Sequence, residues 1–103
     1  MRVITGTARG RVLRTLEGED VRPTTDRVKE AVFSIIQFEI EGRRVLDLFA
    51  GSGQLGIEAL SRGAASATFV DMSKDSLSAV KYNLEHTKLG DNAKVVRPTR
   101  SRF

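Results

Sequence analysis

The sequence predicts an α/β domain built around a parallel sheet, and two observations carry this prediction. The apolar strand pattern of Arg44–Phe49 leads into Gly51, Gly53 and Gly56, which are spaced G-x-G-x-x-G, and then into a helical pattern. The chain afterwards repeats the alternation of strand and helix. Strands that alternate with helices form parallel sheets with right-handed crossovers, so we expect the order β-α-β-α-β.

The N-terminal part predicts a β-hairpin followed by one helix. Met1–Thr5 and Arg11–Leu16 are expected to form two short strands, joined by a turn through Gly6 and Gly10. Val21–Pro23 is expected to be extended, because proline disfavours the helical conformation in the residue before it.

The helix that follows is expected to begin near Thr25 or Asp26, whose side chains favour the N-cap position. Glu41 and Gly42 are expected to end it. Apolar residues at helical spacing predict a single buried stripe, formed by Val28, Ala31, Val32, Ile35 and Ile36.

The second half of the chain supplies the sheet. The strand Arg44–Phe49 is almost continuously apolar, which is typical of a strand buried on both faces of a parallel sheet. The elements expected after it are a helix over Gln54–Arg62 stopped by Gly63, a strand over Ala67–Val70, a helix capped by Ser73 and followed by Gly90, and a strand over Ala93–Val96. Leu77, Val80 and Leu84 share one face of the second of these helices.

Composition limits the class of protein. A chain of 103 residues with 40% apolar and 29% charged residues is one small globular domain. The absence of cysteine excludes disulfides and thiolate metal sites and fits a reducing cytoplasm, where we expect the protein to act. The only histidine, His86, cannot form a multi-histidine metal site and is expected to be exposed. The sequence has neither a membrane span nor a signal peptide, so no membrane partner is expected.

The net charge of +4 is unevenly distributed along the chain. Residues 1–14 and 94–103 contain four basic residues each and no acidic residue. Two basic ends suggest contacts with phosphate groups, as in nucleic acid. The alternative is that this charge only keeps a small protein in solution.

The glycine turn predicts a site for a nucleoside-containing cofactor. Gly51 and Gly53 allow a sharp turn close to a ligand, and Gly56 allows close packing of helix and sheet. Asp71, at the carboxyl end of the next strand, can accept hydrogen bonds from ribose hydroxyls. These features fit a dinucleotide or S-adenosylmethionine equally, but the negative charge of Asp47 favours the cationic S-adenosylmethionine over a pyrophosphate. The alternative is that Asp47 only accepts hydrogen bonds from loop amides.

Three segments resemble a known family. Asp47–Gly53 with Leu55–Ala64 is similar to the cofactor loop of bacterial 16S ribosomal RNA (guanine-N2)-methyltransferases. Arg22–Phe33 resembles a second signature of that family, and Arg2–Gly6 with Gly10-Arg11 resembles its N-terminal hairpin. The resemblance implies an incomplete Rossmann-like S-adenosylmethionine-dependent methyltransferase fold, with a hairpin extension over residues 1–20 and a partial methyltransferase domain over residues 21–103.

The resemblance also implies an activity, a partner and a set of site residues. The reaction would be methyl transfer to the exocyclic amine of a guanine in 16S rRNA or the small ribosomal subunit. The cofactor-binding residues would be Thr24, Thr25, Asp47, Phe49, Ala50, Gly51, Ser52, Gly53, Asp71 and Met72, with Asp71 on the ribose. The RNA-binding residues would be Arg2, Arg9, Arg11, Arg22 and Arg27. For the threonines and for Arg22 and Arg27, an ordinary capped helix with its arginines in solvent is the alternative.

The sequence departs from the family at the catalytic centre. The Asn/Asp-Pro-Pro-Tyr/Phe motif that holds the target amine is not present, and Arg97 stands where the family usually has an acid after the third strand. We therefore predict no catalytic residue, no turnover from these residues alone, and a truncated chain. An uncovered strand 44–49 would favour self-association through its edge. A non-catalytic module that binds RNA or cofactor is the alternative function, and a nicotinamide-dinucleotide fragment is disfavoured by Asp47.

Overall fold

The computed structural model describes residues 2–14, 23–48 and 50–98, and the side chains of residues 23–26 lie outside that description. The elements run in the order α1 (Pro23–Ile40), β1 (Arg44–Leu48), α2 (Gln54–Ser61), β2 (Ser66–Val70), α3 (Lys74–Thr87), a short 3-10 turn (Gly90–Asn92) and β3 (Ala93–Val96). This order confirms the predicted β-α-β-α-β unit and the helix before it.

The three strands form one parallel sheet in the order β1-β2-β3. Asp47 pairs with Phe69, which pairs with Val95, so one row of side chains crosses the whole sheet. Helices α2 and α3 pack on the face that carries this row, and Phe69 lies there fully buried among Ile57 and Val80. The face of the sheet that carries Phe69 is called the covered face below.

Strand β1 is not buried on both faces, contrary to the prediction. Asp47 lies on the covered face, whereas Leu46 and Leu48 point to the opposite face and are 62% and 57% exposed. Side chains alternate between the two faces of a strand, so Leu46 and Leu48 share the face opposite to that of Asp47. We call it the open face.

Helix α1 differs from the prediction in its start and in its buried side. It begins at Pro23, not at a Thr25 or Asp26 cap, because proline has a preset φ and its missing N–H is not needed in the first turn. Most of the predicted apolar stripe faces solvent: Val28 is 58% exposed and Ile35 is 80% exposed, and only Ile36 of this stripe packs against the core. The buried side is instead formed by Lys29, Phe33 and Ile40, with Ile36 partly buried.

Residues 2–14 form a compact loop, in which the described parts of the two predicted strands make one antiparallel bridge, between Arg2 and Val12. Met1, Thr15 and Leu16 lie outside the described residues. The Val3 amide donates to the Arg11 carbonyl at 3.0 Å, and Gly10 donates back to Val3 at 2.9 Å. Gly6 has a φ of +97° where a Cβ would collide with the Ser61 carbonyl, so the loop packs too closely on α2 for the strands to extend.

The remaining boundaries follow local signals. Ser73 caps α3 by accepting a hydrogen bond from the Ser76 amide at 3.2 Å, as predicted. Gly63, with a φ of +104°, follows the end of α2. Helix α3 ends differently, because Lys88 takes the left-handed conformation with a φ of +60° and Gly90 falls in the 3-10 turn.

Candidate functional site

The glycine turn lies at the carboxyl end of β1 and leads into α2. The Ala50 amide donates to the Val70 carbonyl at 3.0 Å, which fixes the start of the turn to β2. Gly51 and Gly53 have φ values of +59° and +84°, a conformation that side-chain-bearing residues rarely adopt. Gly56 leaves room for Phe69, because a Cβ there would overlap the Phe69 ring. The predicted role of Gly56 in close helix–sheet packing is therefore confirmed.

Asp71 is joined directly to the glycine turn. Its Oδ2 accepts a hydrogen bond from the Gly51 amide at 3.0 Å, and its Oδ1 accepts one from the Ser73 amide at 2.8 Å. Each carboxylate oxygen has a second lone pair, so these bonds leave acceptor capacity for a ligand hydroxyl. Asp71 is half-buried and thus both positioned and reachable by solvent.

Asp47 lies under the first turn of α2. It is 8% exposed, and its Oδ2 accepts a hydrogen bond from the Gly56 amide at 3.2 Å. Burial raises the pKa of the Asp47 carboxyl, the Gly56 hydrogen bond lowers it, and the charge of Asp71 raises it further. One oxygen of Asp47 therefore accepts a hydrogen bond from an amide of α2 and not from the turn, and a cation near the carboxylate would stabilise its buried charge.

Asp47 also lines a cavity of about 180 Å³ between α1, β1 and α2. The walls of this cavity are apolar side chains, among them Phe33, Ile36 and Leu55. A volume of this size is below the roughly 300 Å³ at which small-molecule sites begin. The cavity therefore does not by itself accommodate a nucleoside cofactor.

The structure brings most of the predicted cofactor residues to one place. Ala50 and Ser52 are buried in the turn, whereas Met72 beside Asp71 is 49% exposed, and its carbonyl accepts a hydrogen bond from Arg97 Nε at 3.0 Å. Thr24 and Thr25 lie in the first turn of α1. Phe49 lies outside the described residues.

The predicted RNA-binding arginines lie on two different elements. Arg2, Arg9 and Arg11 are exposed on the N-terminal loop, which packs on the C-terminal half of α2. Arg27 is exposed on α1. Arg22 lies outside the described residues. The part of the loop that packs on α2 thus lies at the C-terminal end of this helix, whereas the glycine turn leads into its N-terminal end.

Sequence reasoning missed a buried ion pair that fastens the N-terminal loop. Glu58 on α2 is fully buried, and its carboxylate accepts hydrogen bonds from the amides of Ile4 and Thr5 at 2.8 and 3.0 Å and from Arg62 Nε at 2.9 Å. Lys29 Nζ lies 3.5 Å from Glu58 and donates to the Arg2 carbonyl at 2.9 Å. The only local signal was Glu58 within the apolar run of α2.

Asn83 on α3 is a second buried polar residue that was missed. Its Oδ1 accepts a hydrogen bond from the Arg14 amide at 2.7 Å, and its Nδ2 donates to the carbonyls of Arg14 and Ser52 at 2.9 Å each. One fully buried side chain therefore holds the end of the N-terminal loop and the glycine turn together.

His86 is exposed, as expected from the sequence. Within residues 2–14, 23–48 and 50–98, no group of three or more histidine and acidic side chains is placed to hold a metal ion. Among the helices described, none is both long and apolar enough to cross a membrane.

The chain is similar over its whole length to known proteins. The family described as "Conserved hypothetical protein 95" matches residues 1–103. "Ribosomal RNA small subunit methyltransferase D" of Escherichia coli (strain K12) is 44% identical over 103 residues, which are 100% of this chain and 52% of that protein. YlbH of Bacillus subtilis (strain 168) is 50% identical over 97 residues, 94% of this chain and 53% of that protein.

The chain is also similar to a solved structure. The structure of yhhF from Escherichia coli superimposes on it with a TM-score of 0.85 and 45% sequence identity, over 96% of this chain and 53% of the yhhF chain. This chain spans about half the length of the curated relatives it matches. The predicted fold is confirmed as an incomplete Rossmann-like methyltransferase fold. The chain belongs to the "Conserved hypothetical protein 95" family, to which the resemblance in its glycine turn and N-terminal segments pointed.

Proposed function

We propose that this chain forms the S-adenosylmethionine-binding part of a cytoplasmic methyltransferase that modifies the N2 amine of a guanine in 16S rRNA. The observation that carries the proposal is the hydrogen bond from the Gly51 amide to the Asp71 carboxylate at 3.0 Å. It joins a glycine turn and an acidic residue at the carboxyl ends of two adjacent parallel strands. Ligands of open α/β sheets bind at this edge.

Asp47 supports S-adenosylmethionine over a dinucleotide. Its carboxyl is buried, and burial raises its pKa, so the ionised form gains from a cation placed nearby. S-adenosylmethionine brings an ammonium and a sulfonium, whereas a dinucleotide brings a pyrophosphate that the same charge repels. We assign the methionine part of the cofactor to the side of the turn nearest Asp47 and the ribose to Asp71.

The other proposed cofactor contacts surround this turn. The first turn of α1 has backbone amides without intrahelical partners, which suit the methionine carboxylate, and Thr24 and Thr25 lie in that turn. The proposed contacts along the turn itself are Phe49, Ala50, Gly51, Ser52, Gly53 and Met72.

For the RNA we assign phosphate contacts to exposed arginines. Arg2, Arg9 and Arg11 are exposed on the N-terminal loop and Arg27 on α1, and we include Arg22 from the sequence pattern. Contacts with phosphates carry affinity but no sequence information. The choice of guanine would therefore have to come from other groups.

Binding of the cofactor can be tested by isothermal titration calorimetry. We expect S-adenosylmethionine to bind and NAD not to bind. Asp71→Asn should weaken the binding of S-adenosylmethionine about tenfold or more, because the asparagine side chain has only one of the two oxygen acceptors of the carboxylate. Asp91→Asn, which changes an exposed acid on the 3-10 turn, is the matched control and should have no effect. NAD binding as tight as S-adenosylmethionine would contradict the proposal.

The alternative is a non-catalytic module that binds RNA or cofactor. The observation behind it is that these 103 residues contain no Asn/Asp-Pro-Pro-Tyr/Phe motif, which the resemblance assigns to the target amine. Incubation with radiolabelled S-adenosylmethionine and unmodified small ribosomal subunits separates the two. We expect no incorporation of label by these residues alone, and measurable incorporation would show that the catalytic centre lies within them.

We also propose self-association through β1. It is the edge strand of the sheet, so one row of its backbone groups can pair with another strand. Leu46 and Leu48 are exposed next to this edge, and Val32 of α1 is 42% exposed. A second copy of the chain would cover these apolar side chains. Sedimentation at increasing concentration should show dimers, and a monomer at every concentration would contradict this.

A further inference from the structure

Three planar side chains are stacked on the outside of α3. The rings of Tyr82 and His86 are nearly parallel, with an interplanar angle of 13° and a centroid separation of 5.9 Å. The guanidinium carbon of Arg14 lies 3.9 Å from the centre of the Tyr82 ring. Arg14 and His86 are exposed, and Tyr82 is 43% exposed. These three residues are called the Tyr82 cluster.

The stack is not needed to fasten Arg14 to the protein. Asn83, fully buried beneath it, already binds both the amide and the carbonyl of Arg14, at 2.7 and 2.9 Å. A cation–π interaction between Arg14 and Tyr82 at an exposed site adds little to these two hydrogen bonds. These hydrogen bonds hold the backbone of Arg14, so that its guanidinium lies over one face of the Tyr82 ring, which remains 43% exposed.

We propose that the Tyr82 cluster binds an unpaired nucleobase of a single-stranded RNA segment by stacking. Unpaired bases in RNA are recognised by stacking on tyrosine and histidine rings and on arginine guanidinium planes, and the cluster presents all three. Arginine also carries the charge that a phosphate requires. The proposal rests on RNA being the partner in the proposed function, and it adds a contact with a base to the phosphate contacts assigned to Arg2, Arg9 and Arg11.

The surroundings of the cluster bear on how selective it is. The exposed charged side chains of α3 around Tyr82 have both signs, with Lys81 next to it and Glu85 one turn further on. A mixed surface does not attract a duplex through charge alone. Because every base has a π-face, we expect binding of single strands with little preference for sequence.

The composition of the chain makes a direct test possible. Tyr82 is its only tyrosine, and it has no tryptophan, so the intrinsic fluorescence reports on the cluster alone. We expect single-stranded polyadenylate to quench this fluorescence, and an RNA duplex of equal length to quench it much less. N-acetyltyrosinamide in the same RNA solutions corrects for absorption of the exciting light.

Affinity measurements on variants complete the test. Tyr82→Ala should weaken binding of fluorescently labelled polyadenylate about tenfold, since it removes the aromatic ring of the stack. Tyr82→Phe keeps the ring and should bind like the parent chain. His86→Ala should have an intermediate effect. Far-ultraviolet circular dichroism checks that each variant is folded, which is expected for exposed positions.

The outcomes separate this inference from the proposed function. Binding of polyadenylate without quenching, or equal affinity for Tyr82→Ala and the parent chain, would overturn the cluster as a base site and leave the arginine contacts intact. No binding of single-stranded RNA would also overturn it. The cofactor site is measured independently, by calorimetry with S-adenosylmethionine.

Discussion

The covered and open faces of the sheet carry side chains from the same strands but have different surroundings. On the covered face, Phe69 is fully buried, and the buried carboxylate of Asp47 accepts a hydrogen bond. On the open face, Leu46 and Leu48 are more than half exposed. Apolar character therefore does not decide which residues of β1 are buried, because an acid is buried there and two leucines are not.

Helix α1 repeats this contrast. Lys29 is 1% exposed and pairs with Glu58, whereas Phe38 is 92% exposed. A charged residue is buried where its partner can reach it, and an apolar residue stays exposed where nothing in the described structure covers it. The covered side is specified by particular partners, so substitutions there should cost more than on the open side.

The largest effect is expected from removal of the Glu58 carboxylate. Glu58→Ala leaves Lys29 buried without its partner and removes the acceptor of two loop amides, so we expect a loss of about 3–5 kcal/mol in the free energy of unfolding. Urea unfolding followed by circular dichroism measures it. Glu85→Ala, an exposed glutamate on α3, is the control and should change stability by less than about 0.5 kcal/mol. A loss below about 1 kcal/mol for Glu58→Ala would contradict the ranking of the two sides.

A smaller effect is expected at Gly56. Gly56→Ala forces the new methyl group against the Phe69 ring and should cost about 1–3 kcal/mol. Gly90→Ala is the control, because a Cβ there meets no atom within 4 Å. Adding Phe69→Leu should relieve the overlap, so a double-mutant cycle should show coupling between residues 56 and 69. Additive effects would show that the glycine is needed for another reason.

Asp47→Asn tests the buried charge, and here the expected change is a gain. Because burial raises the pKa of Asp47 in the folded state above its ordinary value of 3.8, the folded protein binds this proton more tightly than the unfolded chain. This contribution to stability is complete below the ordinary pKa and is lost as pH rises through the raised pKa. Asp47→Asn should therefore raise the melting temperature at neutral pH. It should also make the free energy of unfolding less dependent on pH between the ordinary and the raised pKa of Asp47.

The same substitution should weaken S-adenosylmethionine binding, since the amide carries no charge to meet a cation. Affinity of the parent chain should likewise fall as pH is lowered through the raised pKa of Asp47, which calorimetry at several pH values would measure. Asp91→Asn provides the control for both measurements. A melting temperature that falls in Asp47→Asn at neutral pH would show that the carboxylate stabilises the fold.

The smallest effect on stability is expected on the open face. Leu46→Lys changes a side chain that is 62% exposed and should alter the free energy of unfolding by less than about 0.5 kcal/mol. It should nevertheless reduce self-association, because a lysine at an edge strand opposes pairing. Ser78→Lys adds the same charge on the exposed side of α3 and should leave association unchanged. Equal dimer dissociation constants for the two variants would show that the interface lies elsewhere.

Elements with local signals could be predicted from the sequence. The Ser73 cap, Gly63 after α2 and the strand before the glycine turn were each assigned to within one residue. The proximity of Asp71 to Gly51 was also predictable, because the carboxyl ends of adjacent parallel strands lie side by side. The hydrogen bond that the Asp71 carboxylate accepts from the Gly51 amide was not predicted.

The buried side of α1 could not be predicted in this way. Residues Val28, Val32 and Ile35 form an apolar stripe as convincing as the one that contains Phe33 and Ile40. The choice depends on Lys29 meeting Glu58, which belongs to a different helix. The N-terminal loop likewise depends on partners far away in the sequence. Its sequence pattern predicted a hairpin of two strands, but packing of the loop on α2 does not allow these strands to extend.

The fastening of the N-terminal loop has a consequence for synthesis of the protein. Ile4 and Arg14 are translated before their partners Glu58 and Asn83, which lie 54 and 69 residues later in the chain. At about 5–20 residues per second, Arg14 is made roughly 3 to 14 seconds before Asn83. During that interval the arginine-rich loop lacks these partners. It reaches its folded position only when α3 has been translated.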